Sequence, residues 1–198
     1  MPRTRIAPRH PAGATRRPGL PCLLSLLVLA LVPAPAPASN YVGDTMDDFT
    51  LLDVDGVPVS LYDYLGDIIV VNFFATWCPG CNVEAQSLEH EIWQEYREDG
   101  VTVLSIDILE QAAVVRSWIA SQGVTYRVLL APDWNVFIRF PYAGGLPYNA
   151  IIDRQMVLRY GHTGFEPAVI LQMLDELTGR SAVPVESSSW GAVRALYR

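Results

Sequence analysis

Six of the seven residues from Ile68 to Phe74 are apolar, and the run leads into Ala75-Thr76-Trp77-Cys78-Pro79-Gly80-Cys81. A stretch so rich in β-branched and aromatic residues, without polar alternation, is a strand buried on both faces, as the centre of a parallel sheet requires. Behind the second cysteine the period lengthens. Val83, Leu88, Ile92, Trp93 and Tyr96 recur with Glu84, Glu89, Glu91, Glu95 and Glu98 between them. That spacing predicts an amphipathic helix over Asn82 to Glu98, closed by Asp99-Gly100. Two cysteines with two residues between them therefore sit where a helix begins, within reach of each other. Such a pair serves redox chemistry, a structural disulfide or half of a metal site.

The rest of the chain bears on that choice. Arg3, Arg5, Arg9, His10, Arg16 and Arg17 precede a mostly apolar run, Leu20 to Val32, and small residues follow at Ala36-Pro37-Ala38. Basic, then apolar, then small is the order of a secretory signal peptide, so residues 1–38 are expected to be cleaved and the protein to be exported, to a periplasm or its equivalent. The apolar run falls short of the ~20 residues that a membrane span needs, which makes an uncleaved anchor the lesser reading. Cys22 lies at the front of that run and is expected to leave with the peptide. Beyond residue 38 stand nine arginines, no lysine and 21 acids, a net charge of −12. Such a balance argues against nucleic acid and anionic membrane as partners. No membrane insertion of the mature chain is expected, and it is expected to act as a monomer. Cys78 and Cys81 are the mature chain's two cysteines. Closing so short a loop removes little entropy from the unfolded chain, so the pair suits chemistry better than stapling.

Along residues 39–180 the pattern reads as one domain. Phe49 to Leu52 and Val57 to Val59 flank Asp53-Val54-Asp55-Gly56, a hairpin. Ser60 caps a short turn through Tyr64. Val101 to Ile106 is a second buried strand, and Gln111 to Ser121 a helix with Val114, Val115, Trp118 and Ile119 inward. Tyr126 to Leu130 adds a short strand. Asn149 to Ile152 and Val157 to Tyr160 form an antiparallel pair, and Pro167 opens a last helix through Leu177. Alternating strands and helices followed by a hairpin and a helix give a three-layer α/β/α sandwich with a mixed central sheet and an N-terminal β-hairpin extension. Residues 181–198 break the pattern and are expected to form a tail.

The strand before Trp77-Cys78-Pro79-Gly80-Cys81, with Leu146-Pro147 ahead of an apolar strand and Asp153, resembles the thioredoxin superfamily. Within it the chain is similar to the exported TlpA/ResA-like thiol-disulfide oxidoreductases, a branch also described as redoxin or AhpC/TSA-like. Val42-Gly43-Asp44, Asp48-Phe49-Thr50-Leu51 and the hairpin match that branch as well. The resemblance spans about residues 42–179 and implies a thioredoxin-like fold and exchange of disulfides with protein thiols, fed by an upstream electron donor, with no cofactor. Tyr148 and Asn149 stand where the family carries threonine or another small residue, and Phe140-Pro141-Tyr142 lengthens the approach to Pro147.

The start of a helix favours negative charge, which lowers a thiol pKa from ~8.5 and raises the share of the attacking thiolate. Cys78 is accordingly expected to be the nucleophile and Cys81, one turn further in, to resolve the mixed disulfide. The resemblance implies a cis peptide at Leu146-Pro147 beside the cysteines, and a substrate-facing surface of Trp77, Pro79, Leu146 and Pro147. It also implies that Glu84, three residues past Cys81 on the same helix face, relays protons. Asn72 occupies the position where thioredoxins proper keep a buried aspartate. That makes Glu84 the better candidate for the task, the alternative being that it is one more solvated glutamate among the five on this helix.

Other chemistries fit less well. A peroxiredoxin needs threonine three residues before its reactive cysteine, and Ala75 stands there. Asn82 excludes a c-type haem motif. Zinc needs two further ligands, and only His90 and His162 remain. The rival from another class is a copper-binding assembly factor using Cys78, Cys81 and a histidine such as His162.

Overall fold

The computed structural model describes residues 40–180. The expected signal peptide, residues 1–38 with Cys22, and the tail over residues 181–198 lie outside the described residues. Seven strands form one mixed sheet: β1 (Thr50–Asp53), β2 (Pro58–Ser60), β3 (Ile68–Phe74), β4 (Val101–Ile108), β5 (Arg127–Ala131), β6 (Tyr148–Ile152) and β7 (Leu158–Thr163), in the order β2-β1-β5-β4-β3-β6-β7. β3, β4 and β5 run parallel, and the remaining pairs are antiparallel. β3 lies third from one edge, and all seven of its residues are buried, as its unbroken apolar run requires.

Helices cover one face: α1 (Pro79–Ser87), α2 (Gln94–Tyr96), α3 (Ala112–Gln122) and α4 (Pro167–Thr178). Ala85, Leu88, Ile92, Tyr96, Val115, Trp118, Ile170 and Leu174 pack there on Ile68, Val70, Phe74, Val103 and Ile151. The alternate residues Ile69, Val71, Phe73, Leu104, Ile106 and Ile152 point to the other face. That second layer is thinner. Met46 and Phe49 of the lead-in, the one-turn helix Leu61–Tyr64 and the one-turn helix Phe137–Arg139 supply it. Ser60 caps Leu61–Tyr64 in a reciprocal capping box with Asp63, which satisfies two helix-end donors at once. The lead-in, the segment ahead of β1, docks on the sheet: Thr45 bridges Val157, and Met46 is fully buried.

The helix behind the cysteines differs from its sequence pattern in phase. Val83 is 77% exposed, while Glu84 and Glu89 are buried. The inward stripe starts from Cys81 and runs through Glu84, Ala85, Leu88, Ile92 and Tyr96, so the cysteine sets the face and Val83 falls outside it. Between α1 and α2 the chain widens into a π-helical segment, Leu88–Trp93. Leu88 and its neighbour Glu89 are both buried there. Glu89 then accepts hydrogen bonds from the Thr125 backbone N–H (2.6 Å), the Thr125 hydroxyl (2.7 Å) and Gln94 Nε2 (2.6 Å). Burial would raise its pKa, but these donors hold it below the usual range. The carboxylate ties the helix to the entry of β5. In α3, Val115 and Trp118 are buried and Ile119 packs on the core, but Val114 is exposed.

Candidate active site

β3 ends at Phe74, and the chain turns back at once, with the Cys78 N–H donating to the Ala75 carbonyl at 3.0 Å. Cys78 is the N-cap of α1, in extended backbone geometry, and Pro79 takes the first helical position. Proline suits that place because its missing N–H would have had no helical partner. Cys78 and Cys81 are joined as a disulfide with Cα atoms 5.3 Å apart. The Cys81 N–H points at Cys78 Sγ, 3.2 Å away. In the reduced protein this free helix-end donor faces the sulfur and favours its thiolate. Cys78 is 5% exposed and Cys81 1%. Of the two, Cys78 is the more exposed.

The Leu146–Pro147 peptide is cis. Pro147 stands over the motif so closely that a Cβ added to Gly80 would lie 3.3 Å from Pro147 Cδ. Residues far apart in sequence thus meet at the start of α1. Leu146 is half-buried and packs against both core clusters. Trp77 is 71% exposed, and Pro79 and Gly80 are open to solvent beside it. The Trp77 indole is thus not part of the core and lies open beside the nearly closed sulfur pair.

Glu84 lies one turn beyond Cys81 and is 2% exposed. Its carboxyl meets a row of polar side chains in neighbouring register across three strands, Ser105 on β4, Asn72 on β3 and Asn149 on β6. Asn72 Nδ2 donates to Glu84 Oε1 at 2.5 Å, and Asn149 Nδ2 to Glu84 Oε2 at 3.1 Å. The Ser105 hydroxyl donates to Asn72 Oδ1 at 2.6 Å, which fixes which way that amide points. Burial pushes the Glu84 carboxyl up to about 7, against the opposing pull of the Asn149 and Asn72 amides. A carboxyl held so near neutrality can give or take a proton at physiological pH.

Sequence reasoning placed Asn72 and Glu84 but missed Asn149 and Ser105. Asn149, with Tyr148, departs from the family pattern, and both side chains point inward. Tyr148 is fully buried and donates its hydroxyl hydrogen to the Pro141 carbonyl at 2.8 Å. It packs against Phe73, Phe137 and Phe140. Tyr148 therefore anchors the Phe140-Pro141-Tyr142 segment, and Asn149 holds Glu84. The signal for Asn149 was present as a polar residue in an otherwise apolar strand.

The turn before Cys78 is gripped as well. Glu110 accepts from both the Thr76 N–H and the Thr76 hydroxyl, each at 2.6 Å. Neither residue was singled out from sequence. Among the described residues no three of His, Cys, Asp and Glu gather to hold a metal ion. His162 has its Nδ1 3.7 Å from Glu166, and His90 is exposed.

Comparison with known proteins agrees with this geometry. The model of the AhpC/TSA family matches residues 42–161. The thiol-disulfide oxidoreductase ResA of Geobacillus kaustophilus (strain HTA426) is 29% identical over 123 residues, which cover 62% of this chain and 70% of that protein. The thiol:disulfide interchange protein DsbE of Vibrio cholerae serotype O1 is 29% identical over 136 residues, covering 64% and 67%. The chain thus spans about two thirds of the length of these relatives. A crystal structure of a thiol:disulfide interchange protein from Chlorobium tepidum TLS superposes with a TM-score of 0.59 at 24% identity, over 71% of this chain and all of that one.

Proposed function

The chain belongs to the AhpC/TSA family, and from that premise we propose that Cys78 and Cys81 exchange disulfides with exported proteins, delivering electrons to them. Cys78, as thiolate at the start of α1, attacks one sulfur of a substrate disulfide. The substrate S–S bond breaks, its second sulfur leaves as thiolate and takes up a proton, and Cys78 is left in a mixed disulfide. Cys81 then gives its proton to Glu84 and attacks Cys78 Sγ. The mixed disulfide breaks, the second substrate thiol is released, and Cys78–Cys81 is oxidised. Two electrons have passed to the substrate. A dithiol donor in the export compartment restores the pair by the same steps in reverse.

The observation that carries this reading is the setting of three buried groups on one helix: Cys78 at its cap, next in sequence to exposed Trp77, Cys81 three residues on, and Glu84 three beyond that. Pro147 against Gly80 completes the surface on which a substrate segment would lie, with Trp77, Pro79 and Leu146. Reduction of insulin disulfides tests the chemistry: turnover is expected and should vanish in Cys78→Ser. Equilibration with glutathione tests the direction. A potential near −270 mV marks a reductant and one near −120 mV an oxidant, on the scale of characterised thioredoxin-fold proteins.

A further inference from the structure

Asp107 is an acid fully buried in β4, and its cross-strand partner is Phe74, the last residue of β3. It therefore stands at the sheet end from which the chain departs toward Cys78. Asp107 Oδ1 accepts the Glu110 N–H at 3.0 Å. Its Oδ2 is buried and meets no N–H or hydroxyl donor among the described residues. The side chain that acts on it is the carboxyl of Glu110, a residue whose own N–H is already bound to Asp107 Oδ1. Two ionised carboxylates could not rest so. Each would present an acceptor to an acceptor where water is scarce, and the like charges would repel. A single shared proton removes both penalties, turning Asp107 Oδ2 into a donor toward Glu110.

We propose that Asp107 and Glu110 form a proton-sharing positioning pair that fixes Thr76 and, through it, the seat of Cys78 at the start of α1. This rests on the reading of Cys78 as nucleophile and deepens it. Glu110 spends both oxygens on Thr76, one on its N–H and one on its hydroxyl. The Thr76 carbonyl is held from the other side by Asn82 Nδ2 at 3.2 Å, and Asn82 Oδ1 in turn accepts the Trp118 indole N–H at 2.6 Å. Every polar group of Thr76 is thus engaged, and one residue separates it from Cys78. Burial, with the Glu110 carboxyl beside it, pushes Asp107 up to about 8. Burial would also raise Glu110, but the Thr76 donors outweigh it and hold Glu110 low. Among the described residues, the charged group that acts on Asp107 is Glu110. At neutral pH the proton therefore sits on Asp107. Above about pH 8 it leaves, the two negative charges repel, and the grip of Glu110 on Thr76 is disturbed.

Alkylation of Cys78 by iodoacetamide, followed on the Cys78 peptide by mass spectrometry, tests this in the full-length, reduced Cys81→Ser protein. From about pH 5 to about pH 10 the rate should rise with the thiolate and show a second inflection near 8, where Asp107 ionises. Adding Asp107→Asn, whose amide donates to Glu110 without a titratable proton, should abolish that inflection and leave the thiolate-driven rise. Adding Glu110→Ala should slow Cys78 alkylation at neutral pH by about fivefold or more, because the helix-end donors no longer face the sulfur in register. An inflection that persists in Asp107→Asn overturns the pair, as does a folded Glu110→Ala protein that alkylates like its parent. If Glu110→Ala does not fold, the Asp107→Asn comparison decides alone. Alkylation needs no protein substrate, so a protein that shows the inflection yet reduces no insulin disulfide would defeat the oxidoreductase reading and leave the pair standing.

Discussion

Asn149 Nδ2 donates to Glu84 Oε2 across 3.1 Å, joining β6 to the helix that carries the cysteines. With Asn72 on the other oxygen, it sets a carboxyl directly behind Cys81 without giving it a compensating positive charge. The carboxyl is consequently poised near 7 rather than locked as a carboxylate. In the proposed mechanism this ties the fold to the chemistry, because resolution of a mixed disulfide by Cys81 requires it to lose a proton.

Glu84→Gln should slow the resolving step at neutral pH by about tenfold or more, at the low end of what a positioned acid or base contributes. The rate should also lose its dependence on a group titrating near 7. Rapid quenching of the Cys78 mixed disulfide at a series of pH values measures that step. Attack by Cys78 on substrate should be affected much less, which separates a proton relay from general damage to the fold. Equal slowing of both steps would contradict the assignment.

The same carboxyl makes the stability of the oxidised protein depend on pH. Folding raises the Glu84 pKa from its ordinary 4.5 to about 7. The folded state therefore keeps a proton that the unfolded chain releases, and stability is fully present below about 4.5 and falls as pH rises through 7. The loss is on the order of 3 kcal/mol, at ~1.4 kcal/mol per unit. Asp107, also raised, adds in the same sense up to about 8. Urea midpoints at pH 5 and pH 7.5 should show the parent weakening over that interval and Glu84→Gln weakening less. A steeper decline in the variant would refute the account.

Tyr148 and Gly161 should prove interdependent. A Cβ on Gly161 would collide with the Tyr148 hydroxyl, which is fixed by its bond to the Pro141 carbonyl. Gly161→Ala is expected to destabilise the protein, and Tyr148→Phe to cost about 1–2 kcal/mol by leaving that buried carbonyl unpaired. Together they should cost less than the sum of the two, because the phenyl ring lacks the colliding atom. Thermal or urea unfolding of the four proteins completes the cycle, and strict additivity would contradict the packing described.

Much of this architecture was legible in short-range pattern. The apolar run Ile68 to Phe74 identified the buried central strand, Asp53 to Gly56 the hairpin turn, and Pro167 the start of α4. Cys78, Cys81 and Pro147 followed from motifs whose geometry is local or carried by resemblance. The features that escaped depend on register between strands. Asp107 meets Phe74, and Asn149 meets Asn72, only once the order of β4, β3 and β6 is fixed. Val83 misled for a related reason: the helix face is set by Cys81 and by a π-helical turn, neither of which hydrophobic spacing reports. The polar network behind the cysteines is a tertiary fact written in isolated Asn, Ser and Asp residues.

The division of labour between the cysteines admits one decisive measurement. Reduced Cys81→Ser protein, incubated with disulfide-bonded insulin and resolved by peptide mass spectrometry, should accumulate a covalent mixed disulfide at Cys78, with none in Cys78→Ser. Absence of an adduct at Cys78, or an adduct on Cys81 in the Cys78→Ser protein at a comparable rate, would contradict the account.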